Sequence, residues 1–250
     1  MSASESRRKA RLARLRQFAE ENNIPVQNIQ LLNTALTHTS YANEHRNEVI
    51  HDNERLEFLG DAVLDLVVGE YLFLRFPNWP EGELTRAKAS AVCKPACAEC
   101  AAKFHIGDYM LLGKGEEMSG GRTRISILGD AFEAVIGAIY LDNDYQTASR
   151  FILGHMKKFL DAIDRGDYDR DYKSDLQELV QRHGDVDIHY EVVRDEGPDH
   201  DKTIWMELSI NGRHMGRGTG KSKKEAAQLA AKEAIARIRG GETWPQTPKK

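Results

Sequence analysis

Apolar positions recur at spacings of three and four along most of the first 165 residues. That is the period of one face of an α-helix. The breaks are short. "FPNWPEGE" and "GKGEEMSGGR" carry the Gly, Pro and Ser that interrupt helices. No segment there alternates convincingly as a strand would. The pattern predicts an all-helical first domain over residues 1–163. Its basic opening segment, "SASESRRKARLARLRQF", should form a helix with Leu12, Leu15 and Phe18 facing inward. The alternative is a basic arm touching nucleic acid.

The period changes after "DRGDYDRDY", a polar stretch poor in aliphatics that predicts a linker over 164–171. "KSDLQELVQRHG" follows as a helix with Gly184 past its end, and Ser174 and Gln177 fit a capping box. "IHYEVVRDE", "KTIWMELSING" and "RHMGRGTG" then alternate as strands between turn signals. "SKKEAAQLAAKEAIARI" closes the domain as a strong helix, with Ser222 and Glu225 in a second capping box. This α-β-β-β-α order over 172–240 predicts a small α+β domain, two helices on one face of an antiparallel sheet. Residues 241–250 should be a frayed, flexible tail.

Composition adds limits. The chain has 250 residues, 40% hydrophobic and 30% charged, an ordinary globular balance. No apolar run approaches the ~18 residues of a membrane span. The N-terminus has no apolar core of a secretory signal. No membrane partner is expected. Three cysteines, Cys93, Cys97 and Cys100, form an odd, clustered set that suits a reducing compartment better than disulfides. Together these predict a cytoplasmic protein. The cysteine spacing of four and three puts all three thiols on one side of a helix, beside Ala96 and Ala101. That reads as a small-residue core stripe, with a zinc site including His105 as the alternative.

Acidic residues carry the candidate chemistry. In "NERLEFLGDAV", Glu54, Glu57 and Asp61 fall on one helix face, with Asp65 close by and Leu56, Leu59, Val63, Leu66 and Val67 opposite. Alone, this is a solvated acidic face. "SILGDAFEAVIGAIYLD" changes the picture, because Asp130 and Glu133 stand in an otherwise apolar segment that predicts a core helix. The helix dipole would account for Asp130 in a first turn, but less well for Glu133. If the two helices cross, Glu57, Asp61, Asp130 and Glu133 converge. Carboxylate-rich oxygen sites suit Mg²⁺ or Mn²⁺ and metal-assisted phosphodiester hydrolysis. His38, in "ALTHTS", reads as a core or capping histidine.

Several motifs together resemble the ribonuclease III family: "NERLEFLGDAVL", "SILGDAFEAVIGAIYLD", "LTHTSY", "EGELTRAKASAV" and "LGKGEEMSGGR". The later segments "DYKSDLQELVQ", "GPDHDKTIWMELSING" and "GRGTGKSKKEAAQLAAKEAI" resemble the double-stranded RNA-binding domain. The resemblance spans about Arg16 to Arg239. It implies an all-α endonuclease domain followed by an α+β RNA-binding domain, in the simple bacterial arrangement. It implies an endoribonuclease cutting both strands of double-stranded RNA with Mg²⁺, or Mn²⁺ as substitute. The products would be 5′-phosphate and 3′-hydroxyl ends with a short 3′ overhang, and substrates would include ribosomal and messenger RNA precursors. Glu57, Asp61, Asp130 and Glu133 match the family's metal positions. Asp61, Glu133 and Glu54 are the implied catalytic acids, Glu54 assisting without being a principal ligand. Glu81 matches a further acidic position only softly, and Asp65 has no role in the pattern. The family works as a homodimer of nuclease domains, and Phe58 falls where it uses an aromatic in the subunit junction. Trp205 stands where the family often has Phe.

The net charge of −4 hides a reversal. From Asp175 to Glu207 ten acids face three basic residues; from Arg213 to Arg239 eight basic residues face two acids. Lys221, Lys223 and Lys224 sit at a helix start, where lysine is unfavourable unless an anion binds. By the resemblance, Gln177 and Glu178 face one minor groove of RNA, His200 in "GPDH" reaches the next, and the three lysines bridge the phosphates between. Gln177's capping role competes with its RNA role. Arg122 and Arg124 either steady the RNA backbone or solvate a loop. Two readings compete with the nuclease: a binding protein with an inert site, and a metal phosphohydrolase for small substrates.

Overall fold

The first domain is built on two long helices that cross in its core. The computed structural model describes residues 3–47, 49–166, 171–182, 184, 186–198 and 201–245. Contacts divide the chain into two units, Met1–Asp169 and Arg170–Lys250.

The helices of the first unit are α1 (Ala3–Glu21), α2 (Ile29–Ala35), α3 (Thr39–Glu44), α4 (Glu54–Arg75), α5 (Glu81–Ala91), α6 (Lys94–Lys103), α7 (Ile106–Tyr109), α8 (Lys114–Met118), α9 (Ile125–Asp142), α10 (Tyr145–His155) and α11 (Lys157–Asp164). A 3-10 turn, Gly121–Thr123, precedes α9. The apolar composition of α9 puts it at the centre: Ala131 through Ile139 are buried without interruption, packed against α4 and α6. In α1, Leu15 and Phe18 are buried and Leu12 packs at their edge. Arg11 is drawn in with them, donating to the Tyr109 carbonyl at 2.6 Å and to Asn33 at 3.2 Å. Burial, then the nearby Arg14 charge, lowers the Arg11 pKa to about 10.

The crossing of α4 and α9 depends on two glycines. A Cβ on Gly60 would lie 1.7 Å from the Glu133 carbonyl oxygen, and one on Gly137 would lie 2.3 Å from that of Leu56. The backbones therefore touch, which only glycine permits. Glu57 and Glu133 each stand within four residues of these contacts, so the crossing brings them together.

The second unit runs α12 (Tyr172–Gln181), β1 (Ile188–Glu196), β2 (Thr203–Ile210), β3 (Arg213–Gly220) and α13 (Lys223–Arg239). The strands form an antiparallel sheet in the order β1-β2-β3. Along β2, Ile204, Met206, Leu208 and Ile210 alternate inward. β3 presents Gly216, Gly218 and Gly220 to the alanine face of α13; a Cβ on Gly218 would lie 2.0 Å from the Ala226 carbonyl oxygen. Small residues on both elements let helix and sheet approach closely.

Several expectations need correction. α12 is capped by Asp171, whose carboxylate accepts from the Ser174 amide at 3.2 Å and from the Ser174 hydroxyl at 2.6 Å. The capping box of Ser174 and Gln177 does not form, because the helix starts earlier, at Tyr172, which packs against the unit's core. Ser222 does cap α13, accepting from the Glu225 amide at 3.1 Å. The Glu225 carboxylate reaches past it to the Lys221 amide at 2.7 Å. The start of the expected tail is ordered. Trp244 is buried in the second core, and Glu242 pairs with Arg213 and Arg237. Residues 246–250, His200 and linker residues 167–170 lie outside the described residues.

Candidate active site and nucleic-acid interface

Carboxylates from α4 and α9 meet at the glycine crossing. Among the described residues, Glu57, Asp130 and Glu133 place one ligand atom each within 4.8 Å of one another. Glu133 is 3% exposed, so its charge cannot be left to solvent. Asp130 is the sixth residue of α9, beyond the first turn; the helix dipole therefore explains neither acid.

A cationic side chain sits among them. Lys94, the first residue of α6, places Nζ 2.5 Å from Asp130 Oδ1, 3.0 Å from Glu133 Oε2 and 3.8 Å from Glu57 Oε1. Even so, the cluster is short of positive charge. Burial and the Asp130 charge push the Glu57 carboxyl up to about 7. Burial also raises Glu133 against the pull of Lys94, with Asp61 and Asp130 adding repulsion. Burial alone would loosen the Lys94 proton, but hydrogen bonds to Asp130 and Glu133 outweigh it and hold the proton tightly. Two carboxyls that resist ionisation, arranged around an ammonium, form an all-oxygen donor set suited to a hard divalent cation.

The remaining acids lie outside this group. Asp61 is exposed, one turn on from Glu57, close enough for its charge to raise Glu133. Glu54 is exposed in the first turn of α4. Asp65 pairs with Lys88 at 2.5 Å, and Glu81 accepts from the Thr85 hydroxyl at 2.8 Å. His38 caps α3, accepting from the Ser40 amide. Arg122 and Arg124 hold their own loop: Arg122 donates to Glu117 and to the Gly107 and Met110 carbonyls, and Arg124 pairs with Glu116. Cys97 and Cys100 are buried in the core, whereas Cys93 is exposed at the cap of α6. The thiols and His105 form no metal group among the described residues. Burial and then the Glu133 charge raise the Cys97 thiol, so it stays protonated beside the acids.

On the outer face of α4, Phe58, Leu66 and Phe73 are 79%, 59% and 67% exposed. The sequence pattern assigned Leu66 inward. Spacings of eight and seven residues instead put all three side chains on one apolar stripe, uncovered among the described residues of the first unit.

In the second unit, Lys223 and Lys224 are exposed in the first turn of α13. Lys221 bonds Asp201 at 2.7 Å. Gln177 and Glu178 are exposed on α12, and Gln177 lines a surface groove with Lys224. Polar helix residues and basic residues thus meet on one side of the unit.

Comparison with known proteins interprets both units. Residues 28–160 match the family model described as "Ribonuclease-III-like", and residues 172–238 match "Double-stranded RNA binding motif". Ribonuclease 3 of Enterococcus faecalis is 48% identical over 224 residues, covering 89% of this chain and 96% of that one. The chain belongs to the ribonuclease III family. Ribonuclease 3 of Geobacillus kaustophilus is 45% identical over 234 residues, 93% of this chain and 94% of its own. A solved structure of the nuclease domain of ribonuclease III from Campylobacter jejuni superposes with a TM-score of 0.52 at 41% identity, covering 56% of this chain and 94% of that domain. In this ribonuclease III chain, Lys94 escaped the reading of the sequence. It lies 36 and 39 residues from its acidic partners, beyond any local spacing rule.

Proposed function

We propose that the chain is an endoribonuclease that hydrolyses phosphodiester bonds in both strands of double-stranded RNA, using Mg²⁺ or Mn²⁺ held by Glu57, Asp130 and Glu133, with Asp61 at the edge. The observation that carries this is the buried Glu133 beside Glu57 and Asp130, in a chain that also carries a double-stranded RNA-binding motif. When bound, the divalent cation neutralises phosphate charge and activates water. Glu133, fixed by burial, orients the donor set. Asp61 and Glu54 stand at the exposed mouth, where they position water and solvated ions.

The second unit holds the duplex. A-form RNA offers its shallow minor groove and phosphates, and domains of this class span about 16 base pairs, reading shape. Gln177 and Glu178 address one minor groove. The loop containing His200 addresses the next, and Lys221, Lys223 and Lys224 contact the phosphates between. Because Asp201 already engages Lys221, Lys223 and Lys224 carry most of that contact.

The exposed stripe of Phe58, Leu66 and Phe73 is the surface for a second nuclease domain. A homodimer provides two sites, one per strand, and so leaves 5′-phosphate and 3′-hydroxyl ends with a short 3′ overhang. Substrates are ribosomal and messenger RNA precursors in the cytoplasm. Incubation with long duplex RNA should yield short duplexes only with Mg²⁺ or Mn²⁺. Metal-dependent release of phosphate from nucleotides, with intact duplex, would point to a small-substrate phosphohydrolase. Duplex binding without shortening would leave a binding protein with an inert site.

A further inference from the structure

The position of Lys94 goes beyond the reading just given and rests on its metal assignment. Nζ lies 2.5 Å from Asp130 Oδ1 and 3.0 Å from Glu133 Oε2, two of the carboxylates assigned to the metal. The path of the side chain is also built. A Cβ on Gly129 would lie 2.4 Å from Lys94 Cδ and 2.9 Å from Cγ, so the lysine stem runs through space left open by that glycine. The root of the side chain is fixed as well, since Lys94 begins α6 with Pro95 next to it. The side chain as a whole is 38% exposed, so it has a way out to solvent.

We infer that Lys94 is a resident counter-ion that occupies the metal position in the metal-free enzyme, holds the three carboxylates converged, and swings out when the divalent cation binds. An ammonium and a dication that use the same carboxylate oxygens repel each other and compete for them. The competition has two consequences. Lys94 keeps the acids from splaying apart when no metal is present. It also weakens apparent metal affinity, because only the fraction of molecules with Lys94 displaced can accept the ion. Lys94 is thus a positioning residue, acting through Asp130 and Glu133.

Mn²⁺ binding to the full-length protein without RNA, measured by electron paramagnetic resonance of the free ion, tests this. Lys94→Met keeps the stem and removes the charge; it should bind Mn²⁺ on the order of tenfold more tightly than wild type and melt lower in EDTA. Lys94→Arg should stay near wild type in both. Unchanged or weaker Mn²⁺ affinity in Lys94→Met overturns the proposal. Wild-type protein gives a second test should the variant fail to fold. Acylation of Lys94 by an amine reagent, followed by mass spectrometry, should accelerate when Mn²⁺ is added; unchanged or slower labelling overturns the proposal. Glu133→Gln separates the two levels. If it leaves Mn²⁺ binding intact, the metal assignment itself fails. If it weakens binding while Lys94→Met does not strengthen it, only the role of Lys94 fails.

Discussion

Gly60→Ala should push α4 and α9 apart at the point where the acids meet. The new Cβ would stand 1.7 Å from the Glu133 carbonyl oxygen, and real Cβ contacts essentially never fall under 3.0 Å. From 1.7 to 3.0 Å is a displacement of 1.3 Å, and the obstacle is backbone that cannot rotate aside. Overpacking of this kind costs roughly 1–3 kcal/mol, occasionally more. A backbone obstacle puts the cost near the upper end, about 3 kcal/mol; intrinsic helix propensity returns up to about 1 kcal/mol, so the net loss is about 2 kcal/mol. For a domain of this size that lowers Tm by roughly 4–8 °C. The same displacement moves Glu57 away from Glu133, so Mn²⁺ affinity should fall together with stability. Gly69→Ala on the same helix is the control. Its Cβ would meet only Lys88 Cδ at 3.9 Å, so it should be neutral or stabilise by up to about 1 kcal/mol. Calorimetry of both variants with a Mn²⁺ titration checks this. Equal melting temperatures for the two alanine variants would refute the close-crossing argument.

Three further outcomes are expected. Lys223→Ala with Lys224→Ala should weaken duplex binding across sequences and reduce the slope of log K against log salt by about 2; an unchanged slope would remove these lysines from the phosphate contacts. Phe58→Asp should raise the dimer dissociation constant by about ten- to a hundredfold, from the roughly 1.5–3 kcal/mol of burying an aromatic side chain. Sedimentation equilibrium reads this, and an unaltered constant would place the interface elsewhere. Gly218→Ala, whose Cβ would lie 2.0 Å from the Ala226 carbonyl oxygen, should unfold the second unit and abolish duplex binding while Mn²⁺ affinity persists; retained binding would contradict the helix-on-glycine packing.

The switch from a period of three and four to alternation was legible because packing follows it directly. β2 buries every second residue as its sequence indicates. Asp130 and Glu133 were legible for a different reason: they are charges in an otherwise apolar helical segment. What escaped depends on partners distant in sequence. Lys94 gains its meaning only from Asp130 and Glu133, and nothing near "VCKPA" announces them. Leu66 looked like core because its helix is apolar on more than one side, and only the fold shows which side faces outward. Trp244 lies in a stretch with the composition of a loose end, yet its indole fills the second core. Asp171 took the cap from Ser174 because Tyr172 packs into the core, extending the helix toward the N-terminus. The glycines of the α4–α9 crossing were visible, but their purpose lies in the backbone across from them.

The central claim is that the buried carboxylate on α9 holds the metal that cuts double-stranded RNA. Cleavage and binding of one duplex by wild type and Glu133→Gln, at physiological Mg²⁺, test it most directly. Outer-shell partners of a metal typically cost 10–100-fold, so loss of a direct ligand should slow cleavage by more than about 100-fold while duplex affinity stays at the wild-type value. Normal cleavage by Glu133→Gln would contradict the account.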